Sequence, residues 1–176
     1  MNIQALAQEI PEQGEQAFEG IDFITDGEQY LTFILGSEQY GVDILCVEEI
    51  RSWEKPTRIP NSPDYVKGVI NMRGIIVPII DLRQKFSIGK PYYGATTVVI
   101  VLTISGELKK RTIGFVVDGV SDVLNADESD IKSAPAFGGC IPQYYIDGLV
   151  NVGDKVITLL NVKELQSLEA HQILST

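Results

Sequence analysis

The sequence predicts an all-β fold made of two similar small barrels. Short runs rich in Val and Ile alternate with Gly and Pro turn signals along most of the 176 residues, which is typical of proteins with many short strands. The motif at residues 68–83 returns at residues 148–163 with a constant shift, and residues 41–50 return at 114–123. Two matched segments in the same order indicate an internal duplication.

The duplication divides the chain into a domain and two flanking parts. It predicts one unit over residues 28–88 and a second over residues 95–166, which together form one domain over residues 28–166. Residues 1–27 contain acids, Gln and Gly but no base, and this composition predicts a flexible acidic tail. Apolar residues at helical spacing predict a C-terminal helix over residues 162–174, and residues 167–176 are the helix end and a tail beyond the domain.

The repeated motif predicts a tight hairpin. Its first copy holds two β-branched runs, residues 69–72 and 75–80, separated by Arg73 and Gly74. Pro78 has no N–H for a sheet ladder, which indicates an edge or bulged strand. The second copy has Gly153 in place of Arg73, so the shared fold does not require an arginine at this turn. Arg73 is therefore either a functional residue, which pairs with a carboxylate or a partner, or a plain solvated turn residue.

The other elements follow from hydrophobic periodicity and turn residues. Val47 and Ile50 lie three residues apart, which predicts a short helix over residues 45–51. Residues 53–63 hold three prolines and predict an ordered loop. The remaining predictions are strands at 30–35, 39–44, 96–104, 112–117, 144–151 and 155–160, a strand or turn at 120–124, helical turns at 82–86 and 127–131, and a polar hairpin loop at 106–111.

The charge distribution argues against nucleic acid and lipid as direct partners. The formal net charge is −10, and the first 50 residues alone carry −11 without a single base. Nucleic acids require a basic face, and anionic lipid repels an acidic chain. No apolar run approaches the roughly 18 residues of a membrane span, and no basic segment of a secretory signal begins the chain. These features predict a cytoplasmic protein without direct membrane insertion.

The residues that support catalysis or metal binding are sparse. His171 is the only histidine, and a zinc site needs about four suitably spaced ligands. Cys46 and Cys140 do not form a disulfide framework, and the pattern around Cys46 indicates a small buried hydrophobe. The adjacent Glu48 and Glu49 indicate a solvated face more than a catalytic dyad. We expect no enzyme activity, no metal and no cofactor.

The apolar residues at matched positions allow two interpretations. Val47, Val120 and Val123 are core residues by default, but they also suit a groove between the two units that docks another protein. The alternative function is a small-ligand-binding module that uses the same groove as its pocket.

Several segments resemble the CheW-like domain family, the coupling proteins of bacterial chemotaxis. The resemblance covers residues 28–166 in one register. It is carried by Lys67-Gly-Val-Ile-Asn-Met-Arg-Gly, Val77-Pro-Ile-Ile-Asp-Leu-Arg and Phe115-Val-Val-Asp-Gly-Val-Ser-Asp-Val. The block Asn-x-Arg-Gly followed by Pro-x-x-Asp-Leu-Arg is highly specific to this family.

The resemblance implies a fold, a function and a set of contact residues. The fold is two intertwined five-stranded SH3-like barrels, and the function is that of a non-catalytic adaptor, monomeric when free. Its implied partners are the CheW-like regulatory domain of the histidine kinase CheA and the cytoplasmic tips of chemoreceptors, in arrays at the inner face of the membrane. The implied receptor contacts are Val47, Glu49, Arg73, Val98, Gly114, Val120 and Val123, and the implied kinase or ring contacts are Ile44, Lys132 and Phe137.

Overall fold

The computed structural model describes residues 28–105, 110–133 and 141–165. The described strands are β1 (Glu28–Leu35), β2 (Glu38–Asp43), β3 (Val47–Ser52), β4 (Val66–Met72), β5 (Ile75–Asp81), β6 (Val98–Ser105), β7 (Lys110–Val117), β8 (Gly119–Ala126), β9 (Ile131–Lys132), β10 (Ile146–Val152) and β11 (Lys155–Leu160). Helix α1 spans Leu82–Lys85, 3-10 helices span Ile44–Cys46, Glu128–Asp130 and Gln143–Tyr145, and residues 162–165 are helical. The predicted all-β fold is confirmed.

Some predictions fall on residues outside this description. These are the acidic tail at residues 1–27, most of the 106–111 loop, Phe137, and the part of the C-terminal helix after residue 165. Within the described ranges, the helices are too short and too polar for any of them to cross a membrane.

The strands form two sheets, and each sheet takes strands from both repeats. The strand order is β8-β1-β2-β11-β10-β9 in one sheet and β3-β6-β7-β5-β4 in the other. The counterparts of β3, β6, β7, β5 and β4 in the other repeat are β8, β1, β2, β11 and β10. The second sheet therefore has the same strand order as the first sheet without β9. The two SH3-like barrels are therefore pseudo-symmetric and intertwined, because neither sheet can form from one repeat alone.

The strand register confirms that matched sequence positions are also matched in space. Gly114 of β7 pairs in parallel with Ile79 of β5. Gly41 of β2 pairs in parallel with Leu159 of β11. Residues 41 and 114 thus pair with equivalent positions of the two repeats, as the sequence duplication predicts.

The hydrophobic core has one shared part and two separate parts. The shared cluster includes Phe33 of the first sheet and Ile100 and Phe115 of the second. A second cluster lies on the five-stranded sheet and a third on the six-stranded sheet. Central strands such as β6 bury both faces, since Val99 faces the second cluster and Ile100 the first. Two buried faces explain why this strand is a continuous Val and Ile run in the sequence.

The helix predicted over residues 45–51 is wrong. After the 3-10 helix Ile44–Cys46, the chain continues as strand β3, which pairs with β6. The register shifts between Val47 and Glu49, so Glu48 is the extra residue of a β-bulge. A bulge adds one residue to the strand period of two, which places Val47 and Ile50 on the same core at helix-like spacing.

Three other predictions need adjustment. Strand β5 is an edge strand only up to Pro78, because Ile79–Asp81 pair with β7 on one side and β4 lies on the other. Residues 144 and 145 belong to a 3-10 helix that follows Pro142, and the strand starts at Ile146. Residues 120–124 form part of strand β8, and the short β9 was not predicted.

A buried ion network around Arg83 of α1 joins the two repeats. The guanidinium of Arg83 donates from Nε and Nη2 to the two oxygens of Asp81, at 3.0 and 2.9 Å, and from Nη1 to Asp118 at 2.7 Å. Nη1 also donates to the carbonyl of Tyr92, and the guanidinium lies 4.9 Å from the Tyr93 ring centre. Burial alone would lower the pKa of Arg83, but hydrogen bonds to both carboxylates raise it. Arg83 therefore stays charged in the interior.

Tyr93 is hydrogen-bonded to this network, and its ionisation predicts how stability depends on pH. Its hydroxyl donates to Asp81 Oδ2. Burial and this hydrogen bond raise the pKa of Tyr93 well above its ordinary value. An unfolded tyrosine releases its proton near pH 10, whereas the folded one keeps it. The free energy of unfolding should therefore fall as the pH rises above about 10.

Replacing Tyr93 with phenylalanine should make this alkaline decline less steep. It should also lower the free energy of unfolding at pH 7 by about 1 kcal/mol, the value of one hydrogen bond. Urea unfolding at pH 7 and near pH 10.5 measures both effects. Tyr92→Phe is the matched control, because the Tyr92 side chain is 70% exposed. An alkaline decline that is as steep in Tyr93→Phe as in the wild type would contradict the prediction.

Candidate functional site

Arg73 occupies the tip of a two-residue hairpin loop. Met72 pairs with Ile75, and both loop residues are left-handed, with φ of 53° at Arg73 and 85° at Gly74. Such φ values define a type I′ turn, which usually carries Asn or Gly. The counterpart Gly153 has φ of 60°. An arginine in this conformation costs roughly 1–2 kcal/mol relative to glycine, which makes Arg73 a candidate functional residue.

Two adjacent carboxylates hold the Arg73 guanidinium. Nη2 lies 3.4 Å from Glu49 Oε2, and Nη1 lies 3.9 Å from Glu48 Oε1. The bulge at Glu48 interrupts the alternation of β3, so neighbouring side chains can approach the same cation. The Arg73 side chain remains 61% exposed. An exposed pair contributes only about 0–1 kcal/mol to stability, so its main effect is to orient a guanidinium at the surface.

An open groove of about 410 Å³ lies beside this arginine. Ile75 and Ile76 are among its apolar lining residues, and they are 53% and 60% exposed. Lys110 and Arg111 of β7 line it as well. The groove combines an exposed apolar surface with fixed charges, a composition that suits docking of another polypeptide.

The predicted receptor-contact valines are divided between core and surface. Val47, Val98 and Val120 are partly buried and pack against the shared core cluster. Val123 is more exposed and lies on strand β8, which forms an edge of its sheet. The two sequence interpretations, core and surface, thus both describe these valines in part.

Gly114 is buried in the middle of the five-stranded sheet. A Cβ at this position would come within 2.6 Å of Ile79 Cδ1 and 2.9 Å of Val99 Cγ1. The glycine therefore allows close packing of β5, β6 and β7, and it places no side chain on the surface.

The predicted kinase contacts lie on other elements. Ile44 begins the 3-10 helix and packs against the shared core, whereas its neighbour Leu45 is 90% exposed. Lys132 is exposed on β9, an edge of the six-stranded sheet. Phe137 lies outside the described residues.

The structure brings Glu49 and Arg73 together, and Glu49 lies on a strand and not on the predicted helix. Sequence reasoning missed Glu48 as a second partner of Arg73, and it missed the exposed Ile75 and Ile76. The signal for the two isoleucines was present, because adjacent strand residues normally face opposite sides. Two consecutive isoleucines after a turn therefore place at least one of them away from a single buried face.

Potential metal ligands are scattered in the part of the chain that the structure describes. Among these residues, no group of three or more His, Cys, Asp or Glu side chains is arranged to hold an ion. The arrangement around Arg73 can present charge and apolar surface to another molecule.

Comparison with known proteins places this geometry in a family. The family model described as "CheW-like domain" matches residues 29–169. A chemotaxis protein CheW from Klebsiella aerogenes is 47% identical over 145 residues, which cover 82% of this chain and 85% of that protein. The chemotaxis protein CheW of Bacillus subtilis is 30% identical over 149 residues, covering 85% of this chain and 93% of that protein.

A solved structure supports the same relationship. The crystal structure of a scaffolding protein, TtCheW, from Thermoanaerobacter tengcongensis superposes with a TM-score of 0.70 at 32% identity, covering 77% of this chain and 85% of that one. With the family motif at Arg73 and the intertwined barrels already described, these matches agree over the whole domain. The chain belongs to the CheW-like domain family.

Proposed function

We propose that this protein is a non-catalytic adaptor of chemotaxis that couples transmembrane chemoreceptors to the histidine kinase CheA. The observation that carries the proposal is the oriented Arg73 guanidinium, held by Glu48 and Glu49 on an exposed turn of a CheW-like domain. The relatives named as chemotaxis proteins and the related scaffolding protein support it.

The proposed receptor surface centres on the Arg73 turn. Arg73 and Glu49 supply its polar part, and the partly buried Val47, Val98 and Val120 supply apolar surface, with Val123 on β8. Gly114 contributes by setting the packing of the strands that carry these residues. A surface with oriented charges and an apolar part is a typical protein-docking surface.

A separate surface is proposed for the kinase. Ile44 lies next to the exposed Leu45 on the 3-10 helix, and Lys132 lies on the β9 edge. Phe137 completes the proposed contact set from the family resemblance. Two separate surfaces would let one monomer hold receptor and kinase at once, which is the requirement for an adaptor in an array beneath the membrane.

An open groove argues for protein docking over small-ligand binding. A small-molecule site usually buries 70–90% or more of its ligand, whereas the groove beside Arg73 is partly open to solvent. We therefore favour a polypeptide as the molecule that this face recognises.

Arg73→Gly is expected to abolish most receptor-dependent activation of the kinase while leaving the fold intact. Glycine relieves the left-handed strain and removes only an exposed ion pair, so the free energy of unfolding should change by less than about 1 kcal/mol. Kinase autophosphorylation, measured with receptor-containing membranes and CheA, reports the coupling, and urea unfolding reports stability.

The matched control is Arg58→Ala, because Arg58 is also exposed but lies in the loop after β3. The double variant Arg73→Glu with Glu49→Arg should restore only part of the coupling, since Glu48 stays beside the new carboxylate. Full coupling in Arg73→Gly would refute the proposed receptor surface. Unfolding of Arg73→Gly would show that the arginine is structural.

A further inference from the structure

The charged side chains that line the groove beside Arg73 are mainly cationic. Among the described lining residues, Arg73, Lys110 and Arg111 stand with one acid, Glu48, and Glu49 also pairs with Arg73. The exposed Ile75 and Ile76 of β5 also line it and add apolar surface. The groove therefore fits a segment that combines apolar side chains with carboxylates.

The pseudo-symmetric hairpin β10–β11 provides an internal comparison. It also exposes apolar side chains at its tip, Val152 and Val156. By the shared register, however, Gly153 takes the place of Arg73, and Glu38 takes the place of Arg111. The fold thus supplies an apolar hairpin tip twice, but these two equivalent positions carry positive charge only beside the first.

The chain itself contains a segment with the complementary composition. Residues 1–27 hold six acids and no base. In the stretch nearest the domain, residues 18–26, Phe18, Ile21, Phe23 and Ile24 alternate with acids. Such a stretch offers apolar side chains to the two isoleucines and carboxylates to the cations of the groove.

The start of the described chain lines a cleft that reaches β6, a strand that also borders the groove. Glu28 lines a cleft together with Ile104 near the end of β6, and the preceding residue, Thr103, lines the groove. Residues 18–24 precede Glu28 by four to ten positions. At about 3.3–3.6 Å per extended residue they reach roughly 13–36 Å, which is enough to pass around one strand of the sheet.

We propose that residues 18–26 dock in cis on the groove beside Arg73. Their apolar side chains contact Ile75 and Ile76, and their carboxylates lie near Lys110 and the two arginines. The docking does not depend on the proposed adaptor function. If Arg73 also contacts a receptor, the segment and the receptor compete for one guanidinium.

Paramagnetic NMR on the full chain tests this proposal. A nitroxide label is attached at Gln16→Cys in a background with Cys46→Ala and Cys140→Ala. Amide signals of Ile75, Ile76 and Thr112 should lose more than about half their intensity at low salt, and most of it should return near 0.5 M salt because screening weakens charge pairing. Signals of Val152 and Val156 should keep their intensity.

Two charge reversals make the test specific. Lys110→Glu should restore the groove signals, whereas Lys155→Glu, the matched control on the counterpart hairpin, should leave them broadened. Wild-type-like amide spectra of each variant outside the substituted region verify the fold. Equal broadening at both hairpins, no broadening at either, or equal effects of the two reversals would overturn the proposal.

Discussion

Arg83→Ala is expected to lower the free energy of unfolding by about 3–5 kcal/mol, because it leaves a buried carboxylate without its cation. Arg83 is 1% exposed and Asp81 is fully buried. The same substitution removes the contact to Asp118, whose other oxygen accepts the amide of Gly36 in the β1–β2 turn. The loss should therefore loosen the junction between the repeats as well as α1. Urea unfolding followed by tryptophan fluorescence measures the change, since Trp53 stacks on Tyr93 beside the network.

The second repeat supplies the control for this prediction. Lys163 occupies the position equivalent to Arg83, but its side chain is exposed, so Lys163→Ala should change stability by less than about 0.5 kcal/mol. The loss of stability in Arg83→Lys should lie between those of the two alanine variants. An ammonium keeps the charge but cannot form the bidentate contact with Asp81. If Arg83→Ala and Lys163→Ala lower stability equally, the network does not stabilise the fold.

Gly68→Ala is expected to be nearly as damaging, with a loss of more than about 3 kcal/mol or failure to fold. Gly68 has φ of 139°, which L-residues rarely adopt. A Cβ there would overlap the carbonyl of Thr57. Thr57 and Val69 exchange backbone hydrogen bonds of 2.8 and 2.9 Å, so the contact is between two backbone segments and no flexible side chain can move aside. Thermal unfolding of the purified variant measures the effect.

Gly153→Ala measures the cost of a left-handed backbone conformation without the steric overlap present at Gly68. Gly153 is also left-handed, with φ of 60°, but open space surrounds the position where a Cβ would be. This variant should lose only about 1–2 kcal/mol, the strain of a non-glycine residue in that conformation. A similar loss in both variants would show that the approach of Thr57 is not limiting.

Much of this protein was determined by local patterns in its sequence. The β-branched runs and turn residues predicted the hairpin at Arg73, and the repeat predicted two related units, because strand period and turn chemistry act over only a few residues. The exchange of Arg73 for Gly153 between the repeats marked the arginine as an addition to the shared fold. The family resemblance implied Glu49 and Arg73 as contact residues, and the structure places the two side chains 3.4 Å apart.

Only the tertiary structure decided how these pieces combine. The bulge at Glu48 imitates helical spacing in the sequence, and pairing with β6 reveals it as a strand. The burial of Arg83 depends on Asp118, which lies 35 residues away, and the cationic groove depends on β7 lying next to β5. Contacts of this kind join residues that are distant in the chain. They depend on which strands exchange between the repeats, and no local period or propensity encodes that choice.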